Sequence, residues 1–362
     1  MNQSRTIVFA GGGTGGPTTP LLAVAEELKE KYLDLRLVFV GTANGPEKKL
    51  VEDIGLDFFS IPSAKWRRYF SLRNIIDIFV FPFAVTRAFL LLNKLKAKVV
   101  VSAGGFVAVP VIWAAKLLGV KVLVHQQDIF PGLANRLSLP FADRITYTFP
   151  EAAKDFPKGT LTGNPVRKSI LTGDRVRGVS SFGLHPEKPV ILVFGGGTGA
   201  LQLNKIAEEA VPSLLDKGFQ VLHITGTNVT SSGEYLDKIS EGYVRRAFLG
   251  REMADAYAVA DIVVCRAGLG TISELSNLQK VVIIVPMPNS HQEKNAEVLK
   301  EKSAAVVIEQ KYLTAQKLSD EISNLIINKE QQNNFKKNIS EIMPHDATST
   351  IASLVYNLLN LS

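Results

Sequence analysis

A single cysteine, Cys265, stands among 362 residues, which rules out an internal disulfide and suits a reducing compartment. The five histidines show no metal-ligand spacing and no Asp-x-Asp occurs, so neither a resident metal nor another cofactor is expected. Long apolar runs are missing too. A membrane-spanning helix needs about 20 nearly uninterrupted apolar residues, and the most apolar stretch, 75–92, is broken by Asp77, Pro82 and Arg87. A strand-like run, Thr6 to Ala10, begins so early that no signal peptide is expected, and a cytoplasmic setting follows.

Acidic residues are scarce in one segment only. From Lys65 to Lys98 there are eight basic residues and a single acid, Asp77, so this segment's excess equals the net charge of +7 of the whole chain. Trp66, Tyr69, Phe70, Phe79, Phe81, Phe83 and Phe89 are interleaved with these cations. Basic and aromatic residues mixed in this way suit a surface resting on anionic lipid headgroups. The plainer alternative is one or two core helices with solvated ends.

What the chain has in abundance is glycine at strand ends. Val8-Phe-Ala-Gly-Gly-Gly-Thr-Gly-Gly16 returns as Val193-Phe-Gly-Gly-Gly-Thr-Gly-Ala200, about half a chain later. Such turns let backbone N–H groups and a helix N-terminus approach an anion. With 362 residues and short β-branched runs alternating with helical segments, the repeat predicts two α/β domains with parallel sheets. The boundary is expected near 163–188, where Gly163-Asn-Pro165 stops a strand and a polar stretch, Thr172 to Ser181, follows.

Both loops fit a dinucleotide fingerprint, but the acid required at the end of the second strand is absent. Those strands end Val40-Gly-Thr-Ala43 and Ile224-Thr-Gly226. No Gly-Lys-Ser or Gly-Lys-Thr follows either loop, which argues against a P-loop nucleoside triphosphatase. A better nucleotide site is Cys265-Arg-Ala-Gly-Leu-Gly-Thr-Ile-Ser-Glu274, leading from a strand into a helix. Gly268 and Gly270 expose N–H groups suited to a pyrophosphate. Glu274 either accepts the two ribose hydroxyls or is only a carboxylate favoured by the helix dipole. Downstream, His291, Gln292 and Asn295 are natural partners for sugar hydroxyls.

Taken together, these motifs resemble the MurG family of peptidoglycan transferases, which move N-acetylglucosamine from UDP-N-acetylglucosamine onto lipid I, undecaprenyl-pyrophosphoryl-N-acetylmuramyl-pentapeptide, to give lipid II. The resemblance runs through Gly11–Ala25, Gly104–Pro110, His125–Asn135, Gly163–Arg167, Gly195–Asn204, Met253–Glu274 and His291–Ala296. It implies an α/β GT-B architecture: two Rossmann-like doubly wound parallel-sheet domains with an interdomain cleft. Residues 1–163 would form the acceptor and membrane-contact domain and 164–344 the donor domain, with a helix at about 345–361 packing back on the first.

The resemblance further implies donor contacts at Thr14, Gly15, Gly16, Asp128, Gly197, Thr198, Gly268, Leu269, Gly270 and Thr271. Leu249 would offer its backbone to uracil, Glu274 would hold the ribose, His291, Gln292 and Asn295 the sugar, and Arg167 the phosphates. Gly13, Thr14, Gly104, Gly105 and Phe106 would receive the acceptor pyrophosphate. Trp66, Arg67, Arg68, Arg73, Phe79 and Phe81 would touch the membrane. The implied partners are UDP-N-acetylglucosamine, lipid I, anionic inner-membrane lipid and cell-wall synthesis proteins, with no nucleic acid. The implied location is peripheral, on the cytoplasmic face of the cell membrane.

Three departures from the family pattern concern the chemistry. Pro17 stands where the family has His, Gln126 and Asp128 alter a His-Glu-Gln-Asn run, and Thr198 lies in a loop that usually reads Gly-Gly-Ser-Gln-Gly. Asp128 is the expected general base for an inverting transfer, with His125 the alternative. Two rivals stay open: a sister GT-B enzyme glycosylating another membrane lipid, such as diacylglycerol, and a non-catalytic sugar-nucleotide or polyprenyl-phosphate binding protein.

Overall fold

Runs of valine and isoleucine that are apolar at every position, rather than at alternate ones, form strands covered on both faces. The computed structural model describes residues 5–12, 15–45, 47–62, 72–196, 200–226 and 241–361. Its contacts divide the chain into two units, Met1–Arg167 with Met343–Ser362, and Lys168–Ile342. This division lies four residues beyond the expected end of the first domain at 163.

In the first unit the chain runs β1 (Arg5–Ala10), α1 (Gly15–Lys31), β2 (Leu35–Gly41), α2 (Glu47–Glu52), β3 (Asp57–Ser60), α3 (Leu72–Leu95), β4 (Ala97–Ser102), α4 (Ala108–Leu117), β5 (Lys121–Gln126), α5 (Leu133–Ser138), β6 (Arg144–Tyr147) and β7 (Thr160–Leu161). The second unit holds α6 (Lys168–Leu171), α7 (Arg175–Phe182), β8 (Val190–Phe194), α8 (Leu201–Asp216), β9 (Gln220–Ile224), β10 (Tyr243–Arg246), α9 (Met253–Val259), β11 (Ile262–Cys265), α10 (Leu269–Asn277), β12 (Val281–Ile284), α11 (Gln292–Glu301), β13 (Val306–Val307), α12 (Ala315–Ile327) and α13 (Lys329–Ser340). The chain then returns to the first unit as α14 (Ala347–Asn360).

Among the described residues each unit carries one sheet, in the orders β3-β2-β1-β4-β5-β6-β7 and β10-β9-β8-β11-β12-β13. Every pairing is parallel. This is the doubly wound α/β arrangement expected from the alternating pattern.

Alternate residues of β1 serve two different cores. Ile7 and Phe9 meet Leu21, Leu22 and Ala25 of α1 and Ile351 and Val355 of α14. Val8 and Ala10 meet Ala88 and Leu92 of α3 and Val111 and Ile112 of α4. Parallel strands end on a common edge, so Ala10, Ser102 and Val124 stand side by side. The loops that leave there are the ones that carry the glycines.

One local expectation changes, and two prolines lie inside helices. The polar stretch 172–181 is largely helical: Asp174 caps α7 by accepting from the Arg177 N–H at 2.6 Å, and Gly183 ends the helix in a left-handed conformation. Pro20 sits inside α1, which starts at Gly15. Pro82 sits inside α3, one helix from Leu72 to Leu95. Proline removes one helical hydrogen bond, and the inward face of Ala84, Ala88, Leu92 and Leu95, all buried, holds α3 in place regardless.

The return of α14 makes a direct prediction. Ile351 is buried in the layer it shares with α1, whereas Leu361 is exposed. Ile351→Ala should destabilise the first unit by about 2–5 kcal/mol and lower its urea midpoint, with Leu361→Ala close to neutral. Equal midpoints for the two variants would deny α14 a structural role there.

Candidate functional site

In the second unit the site grows from the turn between β11 and α10. Gly268 sits at the N-cap of α10 in an extended conformation, with no side chain capping the first N–H groups, and the space where its Cβ would lie is open. A helix start of this kind presents N–H donors and a partial positive charge. The turn is held from three sides. Arg266 donates to the carbonyls of Val285 (3.1 Å) and Pro286 (3.3 Å) and to Gln310 Oε1 (2.5 Å). Asn295, buried on α11, donates to the Ala267 carbonyl at 3.1 Å.

Glu274 lies on the second turn of α10, half-buried, and its Oε2 accepts a 2.6 Å hydrogen bond from the Tyr257 hydroxyl. Tyr257 is buried on α9, its ring set edge-on to Phe194 at 6.0 Å between centroids. Burial first, and the Glu274 charge second, raise the phenol well above its ordinary pKa, so it stays protonated and donates. The same two causes raise the Cys265 thiol, which is therefore inert rather than nucleophilic.

Of the expected sugar partners, His291 is exposed immediately before α11. Gln292 folds back, its Oε1 accepting from the Met287 N–H at 3.0 Å, and Asn295 braces the neighbouring turn as described. Leu249 is buried, in the segment after β10, and follows the exposed Phe248 in sequence. Gly197 and Thr198 lie outside the described residues, as do Gly13 and Thr14. Gly15 and Gly16 open α1.

In the first unit the turns after β1 and β4 pack backbone to backbone. A Cβ on Gly105 would lie 2.8 Å from the Gly12 carbonyl oxygen, and Gly105 has φ +89°, so only glycine fits there. Gly104 donates its N–H to Ser102 Oγ at 3.1 Å, and Phe106 is half-buried beside it. Below the first turn lies a carboxylate that no local pattern marked. Glu47 is fully buried and accepts from the Thr42 N–H at 2.7 Å and from the Thr42 hydroxyl. The acid that sequence lacks at the end of β2 is brought there in the fold from α2, already engaged with the protein's own backbone.

The loop after β5 forms an amide relay. Gln126 Nε2 donates to the Asp128 carbonyl (2.6 Å), and Gln126 Oε1 accepts from Asn135 Nδ2 (2.5 Å). Gln127 donates to the Ala103 carbonyl at 2.8 Å. The Asn135 Oδ1 atom is buried beside Gly104 without a hydrogen-bond partner among the described residues. Asp128 is half-buried at the head of this loop.

Two expected roles meet competing structural bonds. His125 is wholly buried, with Nδ1 2.9 Å from Thr146 Oγ1 and Nε2 3.1 Å from Asn164 Oδ1. Burial pushes its pKa down to about 4. Both ring nitrogens are in use. Arg167, expected at the donor phosphates, places its fork on Glu26 of α1 at 2.7 and 3.2 Å. Nothing in local spacing flags that partner, 141 residues away.

On α3, Phe83 and Leu90 are more than half exposed (55% and 57%) and flank exposed Arg87, whose guanidinium lies over the Phe83 ring. Phe81, expected at the membrane, instead sets its ring edge-on to Trp113 of α4 at 5.3 Å. Trp66, Arg67 and Arg68 lie outside the described residues, as do the side chains of Arg73 and Phe79. Among the described residues no helix is long and apolar enough to cross a membrane, and no group of three or more His, Cys, Asp or Glu is placed to hold a metal ion.

Known proteins match this chain over nearly its full length. Residues 7–147 match the glycosyltransferase family 28 N-terminal domain and 190–351 its C-terminal domain. A Bacillus cereus protein named UDP-N-acetylglucosamine--N-acetylmuramyl-(pentapeptide) pyrophosphoryl-undecaprenol N-acetylglucosamine transferase 2 is 38% identical, covering 94% of this chain and 99% of its own length. A Legionella pneumophila transferase of the same name, without the numeral, is 34% identical over 98% of this chain and 97% of its own. The crystal structure of Acinetobacter baumannii MurG superposes with a TM-score of 0.72 at 25% identity, covering 98% of this chain and all of that one. The chain belongs to glycosyltransferase family 28 and, within it, to the MurG family of N-acetylglucosamine transferases.

Proposed function

We propose that the chain is an inverting transferase that moves N-acetylglucosamine from UDP-N-acetylglucosamine to the muramyl 4-OH of lipid I, releasing UDP and lipid II. The observation that carries this reading is end-to-end kinship with transferases named for that reaction. In it the acceptor oxygen attacks the anomeric carbon opposite the diphosphate, the bond to UDP breaks, and the hydroxyl proton passes to Asp128. The uncapped N–H groups of α10 meet the charge developing on the diphosphate, so the reading calls on fixed dipoles for that task.

Glu274 takes the ribose hydroxyls, the Leu249 backbone the uracil, and His291 the sugar. The glycine turns of the first unit receive the acceptor's pyrophosphate. His125, neutral and bonded at both nitrogens, serves the structure, which leaves Asp128 as the base. The outer face of α3 supports a peripheral seat on the cytoplasmic face of the membrane. There Phe83 and Leu90 enter the headgroup region while Arg87 meets anionic lipid.

The overall reading is tested by UDP release from UDP-N-acetylglucosamine, which should require a short-chain lipid I analogue. Release supported equally by diacylglycerol, or by no acceptor tried, would overturn it. For the donor, Glu274→Ala should raise KM by the loss of a charged hydrogen bond, on the order of 1.5–3 kcal/mol. Unchanged KM and kcat would reduce Glu274 to a helix-start residue.

For the base, Asp128→Asn should lower kcat by at least about 100-fold with UDP affinity near wild type. Retention of more than about a tenth of kcat, outside the range for a lost base, would remove Asp128 from that role. For the membrane, Phe83→Ser with Arg87→Glu and Leu90→Ser should abolish most binding to phosphatidylglycerol vesicles while sparing turnover of a soluble acceptor analogue. Undiminished vesicle binding would move the contact elsewhere.

A further inference from the structure

Tyr257 is 1% exposed, so it reaches no bulk solvent, yet its hydroxyl ends on the carboxylate of Glu274, on the second turn of the helix that follows the candidate nucleotide-binding turn. Its ring packs on Phe194, the last residue of β8 and the one before the second glycine turn. One side chain thus joins the end of one phosphate-handling element to the functional group of another. The helix that carries it is itself anchored. Asp255, also on α9, pairs with Arg177 of α7 at 2.5 and 2.6 Å and accepts from the Asp174 N–H at 2.8 Å.

We propose that Tyr257 is a positioning residue for the donor nucleotide: its phenol fixes the Glu274 carboxylate in the orientation that takes the ribose hydroxyls, and so sets the preference for a ribose-bearing donor. This rests on the reading of Glu274 as the ribose clamp. A glutamate on a helix surface turns freely about its terminal torsion. A short charge-assisted bond from an anchored ring removes that freedom. The phenol occupies one of the roughly four lone-pair positions of the carboxylate, so holding the group does not use up its capacity to accept. Because the phenol stays protonated, it donates at every pH at which the protein is folded and the carboxylate ionised. Nothing in the periodicity of α9 marks this role, since Tyr257 reads there as one more core aromatic.

The test uses the full chain as wild type, Tyr257→Phe, Glu274→Ala and the double variant, with calorimetric titration of UDP and of 2′,3′-dideoxy-UDP. Tyr257→Phe keeps the ring and its contact with Phe194. It should weaken UDP about three- to tenfold, the usual range for one hydrogen bond, and leave dideoxy-UDP unchanged. The donor KM should rise by the same factor while kcat stays within about twofold, as for a uniform binding loss. Added to Glu274→Ala, it should have no further effect on either nucleotide. A wild-type ratio of the two affinities in Tyr257→Phe, or an equal loss of both, would overturn the proposal and leave Tyr257 a packing residue. If Glu274→Ala itself leaves the ratio unchanged, the ribose-clamp reading fails and the role of Tyr257 falls with it.

Discussion

The close approach of two backbones at one sheet edge is the constraint on which the first unit depends. Parallel pairing brings β1, β4 and β5 to a common end, and there the turn at Gly12 and the turn at Gly105 touch with no room for a side chain between them. A residue with a Cβ at 105 would push the two turns apart. In the second unit the tight contact lies within one turn, where a Cβ on Gly195 would fall 2.3 Å from Ala200 Cβ. Glycine turns beside a helix start are the ordinary protein answer to a phosphate.

Around these turns the polar side chains are committed before any substrate arrives. Arg266 and Asn295 hold the turn leading into α10, Gln292 holds its own loop, and Gln126 links Asp128 to Asn135. Groups fixed in advance need no reorganisation when charge develops on a leaving diphosphate, which is where such sites have their largest effect on rate. His125 is committed in the same way. A wholly buried imidazole bonded at both nitrogens orients strands β5 and β6 and has no lone pair left for a substrate proton.

Local pattern made the strands legible. Continuous β-branched runs such as Val99-Val-Val101 and Val122-Leu-Val124 have one stable use, between two helical layers, and both lie there. The glycine turns were legible for the same reason, since few other residues adopt their geometry. Proline at positions 20 and 82 is accommodated inside helices, where burial of a helix face outweighs one missing hydrogen bond. Composition misled at 172–181, where a single capping aspartate and an ion pair to Asp255 turn a polar stretch into a helix. Partners that meet only in the fold were not legible as pairs. Tyr257 with Glu274, Glu26 with Arg167 and Glu47 beneath Gly12 share no spacing rule, and in each case only Glu274, Arg167 or Gly12 stood in a motif that sequence could single out.

The central claim, transfer of one N-acetylglucosamine to the muramyl 4-OH with inversion, is tested most directly on the product. Purified protein, UDP-N-acetylglucosamine and a short-chain lipid I analogue should give a single product heavier by one N-acetylhexosamine residue. Proton NMR should show a β anomeric coupling and a linkage to the muramyl C4. An α linkage, attachment at another hydroxyl, or an unmodified acceptor after complete UDP release would contradict the account.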